Sequence, residues 1–234
     1  RDDMIQQLTP DGSGNFVVTG PSLGHDNSQS LMTIQYAAYT LVKPQNENVN
    51  APFIENRGQL LNTDGDPVSA QRFYTRSMYP NVYISDASVS YVFAHIDTIP
   101  TSTDTMALID LSFYTTAAER RTVASPLEQQ DAHYNFYLGH IPEGRERVPL
   151  ENKVLHNDLY NNIDAMYGQG QDGLFIRLIC KPGSDPDDIR MDFDGQTAQS
   201  VTSGVLTIET LLEDLYLPQP TAVLISSEGT ETAI

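Results

Sequence analysis

The chain has no tryptophan, a single cysteine and few cations, with 13 Lys and Arg against 31 Asp and Glu in 234 residues. Each shortage closes off a class of function. A formal net charge of −18 repels a phosphate backbone unless basic residues are gathered into a patch. The densest cluster is the pair Arg120-Arg121, and Arg145 and Arg147 flank Glu146. Neither nucleic acid nor an anionic membrane surface is an expected partner. One cysteine cannot close an internal disulfide. Cys180 ends the apolar run GLFIRLIC, where a small buried hydrophobe is expected rather than a reactive thiol. No apolar stretch approaches the ~18 residues of a membrane span, so none is expected. Beginning at Arg1 without an initiator Met or a signal peptide, the sequence reads as a mature product or a fragment.

What is present is a globular composition dominated by β patterning. With 39 % hydrophobic residues, the chain can fill the core of one large or two small domains. NVYISDASVSYVFAHI reads as a hairpin: Val82 and Ile84 alternate with polar neighbours, Asp86-Ala87 turns the chain, and Val89, Tyr91 and Phe93 alternate on the return. MALIDLSFYT continues with Leu108, Leu111 and Phe113, and its break at Ile109-Asp110 predicts a bulge. In DDIRMDFDG, Ile189, Met191 and Phe193 oppose Arg190, Asp192 and Asp194, a strand with one wet face. GLFIRLICKPG and SGVLTIET are two further strands bounded by Gly or Pro. Helix signals are few. In SPLEQQDAHY, Ser125 as N-cap, Pro126 at the first helical position and Glu128 fit a capping box of one or two turns. NDLYNNIDAMYG reads as either a helical turn or a strand. The expected fold is all-β: an antiparallel sandwich-like domain over 52–234, a short β arm over 1–45 and a tether at 46–51. Its expected core includes Phe53, Tyr83, Tyr91, Phe93, Phe113, Phe136, Phe175, Ile189 and Phe193.

The run FIENRGQ, residues 53–59, is neither an amphipathic helix nor an alternating strand. It reads as a strap across the sandwich edge, with Phe53 and Ile54 anchored in the core, Glu55, Asn56 and Arg57 satisfying one another and nearby backbone, and Gly58 permitting a sharp turn. A catalytic Glu55 is disfavoured because no second acid or base lies at a fixed short spacing. Followed in order by VYISDASVSYVF, YNFYLG, NDLYNNIDAMYG, GLFIRLICKPGSDPDDIRMDFDG and GVLTIET, the run resembles an uncharacterised β-rich domain of very large secreted bacterial surface proteins. The resemblance spans 52 to about 220. It implies an extracellular setting, neighbouring SBBP-type β-propeller repeats, adhesion-like modules and a type IX secretion signal. Departures from that pattern are Ala87 in place of a turn Gly, EGRER where a Trp is common, and Asn161-Asn162 in place of Pro-Gly. The missing Trp weakens any aromatic ligand platform.

Residues 11–36 resemble one such propeller repeat through Gly14, Asn15, Val18, Thr19 and Gly20. A lone repeat cannot close a propeller. Its apolar residues Phe16, Val17, Val18, Leu31, Ile34 and Tyr36 must be buried on something else. An intermolecular strand addition that builds a homo-oligomer or filament is the expected use of the arm. Gly20-Pro21-Ser22-Leu23-Gly24 fits the pattern G-x-S-x-G but lacks the following helix of a nucleophile elbow, so Ser22 is not expected to carry hydrolysis. His25, His95, His133, His140 and His156 never reach zinc-ligand spacing. Asp185, Asp187, Asp188, Asp192 and Asp194 are weak calcium candidates without EF-hand spacing, and more simply a solvated acidic face. No other cofactor is expected and no catalytic residue is assigned. The expected function is a non-catalytic extracellular structural or interaction module of a cell-surface or filamentous assembly. The runner-up is a carbohydrate-binding or adhesion module, supported by 12 tyrosines and weakened by the lack of Trp.

Overall fold

The computed structural model describes residues 7–10, 15–19, 31–37, 51–76, 78–95, 105–113, 122–170, 173–225 and 231–233; for the first three strands only the backbone is described. Twenty strands follow one another. They are β1 Gln7–Pro10, β2 Asn15–Thr19, β3 Leu31–Ala37, β4 Phe53–Glu55, β5 Gln71–Tyr74, β6 Asn81–Ser85 and β7 Ser88–His95. Next come β8 Thr105–Phe113, β9 Ala124–Pro126, β10 Gln129–Leu138, β11 Ile141–Glu151, β12 Lys153–Tyr160, β13 Ile163–Gly170 and β14 Gly173–Cys180. The last are β15 Arg190–Asp194, β16 Ala198–Thr202, β17 Val205–Glu209, β18 Leu215–Pro218, β19 Thr221–Ile225 and β20 Glu231–Ala233. Helix is confined, among the described residues, to a 3-10 turn at Pro186–Asp188. The fold is all-β, as the alternating patterns imply.

Two large antiparallel sheets carry the domain. One has ten strands in the order β1-β2-β15-β8-β7-β6-β5-β4-β11-β10, the other seven in the order β20-β19-β3-β14-β13-β12-β9. A third sheet of three strands, β16-β17-β18, adds Leu206, Ile208, Leu215 and Leu217 to the same core. Period-2 alternation puts one face of each strand inward. From the ten-stranded sheet come Phe53, Phe73, Ile84, Tyr91, Phe93, Ile109 and Phe193, and from the seven-stranded sheet Val154, Ile163, Tyr167, Ile176 and Leu178. Phe113 meets Tyr167 edge-on across the layers at 6.3 Å between centroids. Cys180 is buried in this core, and burial pushes its thiol up to about 12, an unreactive state at neutral pH.

The segment before residue 46 contributes strands to both sheets. β2 pairs with β15, β1 follows as the edge, and β3 lies inside the seven-stranded sheet between β14 and β19. The hairpin β6–β7 turns at Asp86-Ala87, and Ser85 Oγ accepts the N–H groups of Ala87 and Ser88. At the turn between β12 and β13, Asn162 takes φ 58°, a left-handed conformation that asparagine tolerates.

Three expectations are corrected. SPLEQQDAHY is strand, not helix: Ser125 and Pro126 belong to β9, Ser125 Oγ donates to the Leu155 carbonyl at 3.0 Å, and Glu128 binds Lys153 at 2.7 Å. Pairing with β12 outweighs a local capping signal. Strand β8 has no bulge at Ile109-Asp110, because its register to β7 runs unbroken from Thr105 to Ser112. Ala107, Ile109, Leu111 and Phe113 therefore face inward and Leu108 lies outside, 48 % exposed. Tyr83 is not in the main core, since its neighbours Val82 and Ile84 occupy the inner face; it stacks on Tyr74 on the outer face at 6.1 Å. Phe175 is likewise only half-buried. Phe93→Ala or Phe193→Ala is expected to cost about 3–5 kcal/mol and Leu108→Ala less than about 0.5 kcal/mol, measured by urea unfolding. Equal effects at Phe93 and Leu108 would mean that the inner face is misassigned.

Candidate functional site

The strap is built from β4 outward. Because successive side chains of a strand alternate, Phe53 enters the main core while Ile54 joins a second cluster on the other face with Tyr74, Phe136, Val148 and Leu150. Beyond Glu55 the chain leaves the sheet and its polar groups tie the following loop down. Asn56 donates from its side chain to the carbonyls of Val68 at 2.5 Å and Gln71 at 2.8 Å, and its Oδ1 accepts from the Gly58 N–H. Gly58 has φ 95°, a backbone that a Cβ would strain. Gln59 returns to the Glu55 carbonyl and to the Tyr74 hydroxyl, and its Oε1 accepts from the Arg57 N–H. Arg57 pairs with Glu55 at 2.7 Å, and its carbonyl accepts from Arg145 Nε of β11. The run thus lids the second cluster and stitches β4 to β11.

One carboxylate here has no sequence signal. Glu151 of β11 lies opposite Phe53, is 2 % exposed, and its Oε2 has no partner among the described residues. Burial, then the charge of Glu55, raise its carboxyl above the usual range. It escapes sequence reading because 95 residues separate it from Glu55. A cavity of about 160 Å³ lined by Ala51, Asn152, Lys153, Gln169 and Phe175 contains neither carboxylate.

The hairpin β10–β11 borders the strap and is the exposed part of the site. Phe136 is buried, with Arg76 over its ring at 5.9 Å and Tyr134 edge-on at 6.1 Å. Tyr137 is 70 % exposed and donates to Glu146 at 2.7 Å. Gly144 at φ 72° backs its ring so closely that a Cβ would lie 2.9 Å from Cδ1.

A polar corner joins the two sheets on the other side of β5. His156, fully buried, donates from Nε2 to the Ser85 carbonyl at 3.0 Å, so its Nδ1 accepts from the Tyr167 hydroxyl at 2.8 Å. Burial lowers its pKa from the usual 6.5, against the opposing pull of the Ser85 carbonyl and Asp86. Beside it, Asp86 accepts from Nε and Nη2 of Arg72 through both of its oxygens and from the Ala124 N–H. Partial burial opposes its ionisation, but Arg72 and that N–H outweigh it and hold the carboxyl below the usual range.

The remaining sequence candidates are dispersed. Asp185 caps the 3-10 turn through the Asp187 N–H, and Asp194 accepts from the Gly195 N–H. Asp187 and Asp188 are exposed in that turn, and Asp192 lies in β15 opposite Ser112. Among the described residues no group of three or more His, Cys, Asp or Glu is placed to hold a metal. In the arm, Phe16 lies opposite Met191 and Val17 opposite Arg190, while Val18 pairs with Leu8. Leu31 lies opposite Ile225, Ile34 opposite Leu178 and Ala222, and Tyr36 opposite Ile176. Ser22 and His25 lie outside the described residues.

Asn56→Ala removes the two bonds that the Asn56 side chain donates to the Val68 and Gln71 carbonyls and is expected to cost about 2 kcal/mol, with new proteolytic cleavage between residues 56 and 70; unchanged protection would deny the strap its role as a lid. Above pH 6.5 neither the folded nor the unfolded state charges His156, so its linkage is silent. As pH falls below that value the unfolded imidazole protonates while the buried one resists, and stability is lost. Glu151 opposes this in mild acid, and Asp86 adds to it only near and below its usual 3.8. Wild type should therefore lose more stability than His156→Leu between pH 7.5 and 5.5 in urea titrations; parallel losses would exclude His156 as the cause.

A family model described as a domain of unknown function, DUF7948, matches residues 53–233. No curated protein and no solved structure matches the chain. The matched span starts at Phe53 of the strap and runs through β20, so the chain belongs to the DUF7948 family of domains of unknown function.

Proposed function

We propose that this chain is a non-catalytic structural module of a secreted, extracellular or cell-surface assembly, a subunit held to its neighbours by β-strand addition. The observation that carries the reading is the situation of β3. It makes backbone pairs on both flanks, with β14 and β19, while eleven residues of sequence separate it from β2 and fifteen from β4. A strand held by backbone on both flanks and joined by connections of this length can be given by one copy to the next in the same register, with every pair conserved. The likeness of FIENRGQ and the segments after it to the β-rich domain of large secreted bacterial surface proteins supports the same setting, as does the likeness of residues 11–36 to one SBBP-type repeat.

A second reading, glycan binding or adhesion, is favoured by Tyr137, whose exposed ring is backed on one side by Gly144 and offers the other side to a sugar face. Glycan-array binding by a monomeric chain, lost in Tyr137→Ala, would favour it.

Met32 lies directly opposite Cys180 in the β3–β14 register, so Met32→Cys brings two thiols together wherever β3 docks. Oxidation of the concentrated full chain with iodine, followed by a non-reducing gel, is expected to give a ladder of linked chains. A product linked only within single chains at every concentration would rule out strand exchange.

A further inference from the structure

The cavity of about 160 Å³ beside Lys153 lies where the chain leaves the ten-stranded sheet for the seven-stranded one. Glu151 ends β11, Lys153 opens β12, and Asn152 stands between the two strands. Ala51, just before β4, adds a small buried side chain to the wall, while Gln169 and Phe175 come from β13 and β14.

A glycine shapes the wall. Lys153 lies opposite Gly168 and Gly168 opposite Phe175, so a row across three strands has no side chain at its centre. The Phe175 ring enters that gap, and a Cβ on Gly168 would stand 2.3 Å from its Cζ. Arg177 holds the same ring from one side, 5.7 Å from its centroid. The aromatic wall is thus fixed in advance, with little freedom left to lose on binding.

The polar groups around it have bonding capacity to spare. Gln169 Nε2 is buried and has no partner among the described residues, a costly and uncommon condition for a donor in a folded protein. Lys153 Nζ gives one of its three hydrogens to Glu128 at 2.7 Å. Asn152 accepts from Gln130 through Oδ1 at 2.6 Å, which leaves its Nδ2 to donate. All three spare groups are donors, so a matching ligand presents acceptor oxygens. Lys153 is the one charged residue of the lining and is already paired with Glu128. An anion would find no unpaired cation there, and a neutral ligand fits better.

We propose that this cavity binds one neutral pyranose residue of a glycan. A dry cavity of about 150 Å³ admits a single six-membered ring such as benzene, and the volume here matches. Benzene would suit Phe175 and Ala51 but leave Gln169 unpaired; water would do the reverse. A pyranose answers both, with a C–H face for the aromatic wall and oxygens that accept from Gln169, Asn152 and Lys153. The site shares no residue with Tyr137 and does not depend on β3 exchange.

The full chain, labelled with nitrogen-15, can be titrated with the methyl glycosides of glucose, galactose and mannose up to about 100 mM, enough to saturate a millimolar Kd. At least one glycoside is expected to shift the side-chain amide signal of Gln169 saturably, and methyl glucuronide, an anionic counterpart, to bind at least tenfold more weakly. Gln169→Leu removes the spare donor and keeps the bulk. It should weaken binding at least tenfold with a melting temperature unchanged or raised, because the free chain loses no hydrogen bond; Asn152→Ala, at an exposed position, carries the binding test if that variant misfolds. No saturable shift with any glycoside, glucuronide binding as tight as the best neutral sugar, or undiminished affinity in the folded variants would each overturn the proposal. Shifts confined to Tyr137 and its hairpin neighbours would overturn it as well.

Discussion

The dry contact between the inner faces of the ten- and seven-stranded sheets is the constraint to which the rest of the structure answers. It fixes register, because a one-residue slip of any strand would turn its apolar set outward. In β8 a slip would replace Ala107, Ile109, Leu111 and Phe113 by Met106, Leu108, Asp110 and Ser112, burying a carboxylate without a partner. The same contact explains why the polar corner is tolerated. His156 is buried as a neutral ring with both nitrogens used, one on the Ser85 carbonyl and one on the Tyr167 hydroxyl, so it crosses between the sheets without an unpaired group. Asp86, at the exposed rim, keeps its charge because Arg72 and the Ala124 N–H share it.

Where the ten-stranded sheet continues beyond its partner, the second face of β4, β5 and β11 needs a cover of its own. The strap supplies it. Its sequence has no period because its residues do separate tasks: Phe53 serves one core, Ile54 the other, and Asn56, Gly58 and Gln59 fold the chain back over Tyr74. A regular helix or strand could not present side chains to both cores and still spend its amides on a loop. The cover stops short of the hairpin tip, leaving Tyr134, Tyr137 and Leu138 in solvent, and the exposed surface of the site follows from where this lid ends.

Strands with one buried face were legible in the sequence. Ile189, Met191 and Phe193 alternate without interruption and are all buried, and the Asp86-Ala87 turn carries its own chemistry. Strands whose outer face is also apolar were not. Leu108 and Ile109 compete for the core on hydrophobicity alone, and only pairing with β7 decides between them. Tyr83 misled for the same reason, since the second cluster gives apolar residues a place on the outer face. The helix expected over SPLEQQDAHY rested on local capping chemistry, and a long-range ladder overrode it. Glu151 and His156 gave no local sign, because their surroundings come from strands far away in sequence. Of the site, the strap could be read from its residue types; the bond from Arg145 to the Arg57 carbonyl could not, since β11 lies far from the strap in sequence.

The overall charge and the open edge of β10 are complementary features. A chain with a net charge of −18 repels copies of itself in most orientations, and this general repulsion keeps a long uncovered edge from pairing indiscriminately. Repulsion of that kind depends on the charges that actually meet. At separations comparable with the ~8–10 Å screening length, the local arrangement outweighs the total, and around β4, β5 and β11 arginines are matched by carboxylates in the pairs Arg57–Glu55, Arg72–Asp86 and Arg145–Glu143. The seven-stranded sheet has no equivalent exposure: its edges, β9 and β20, have three residues each, and β9 closes with Pro126. Among the described residues, short edges there leave β10 as the long exposed edge of the two large sheets.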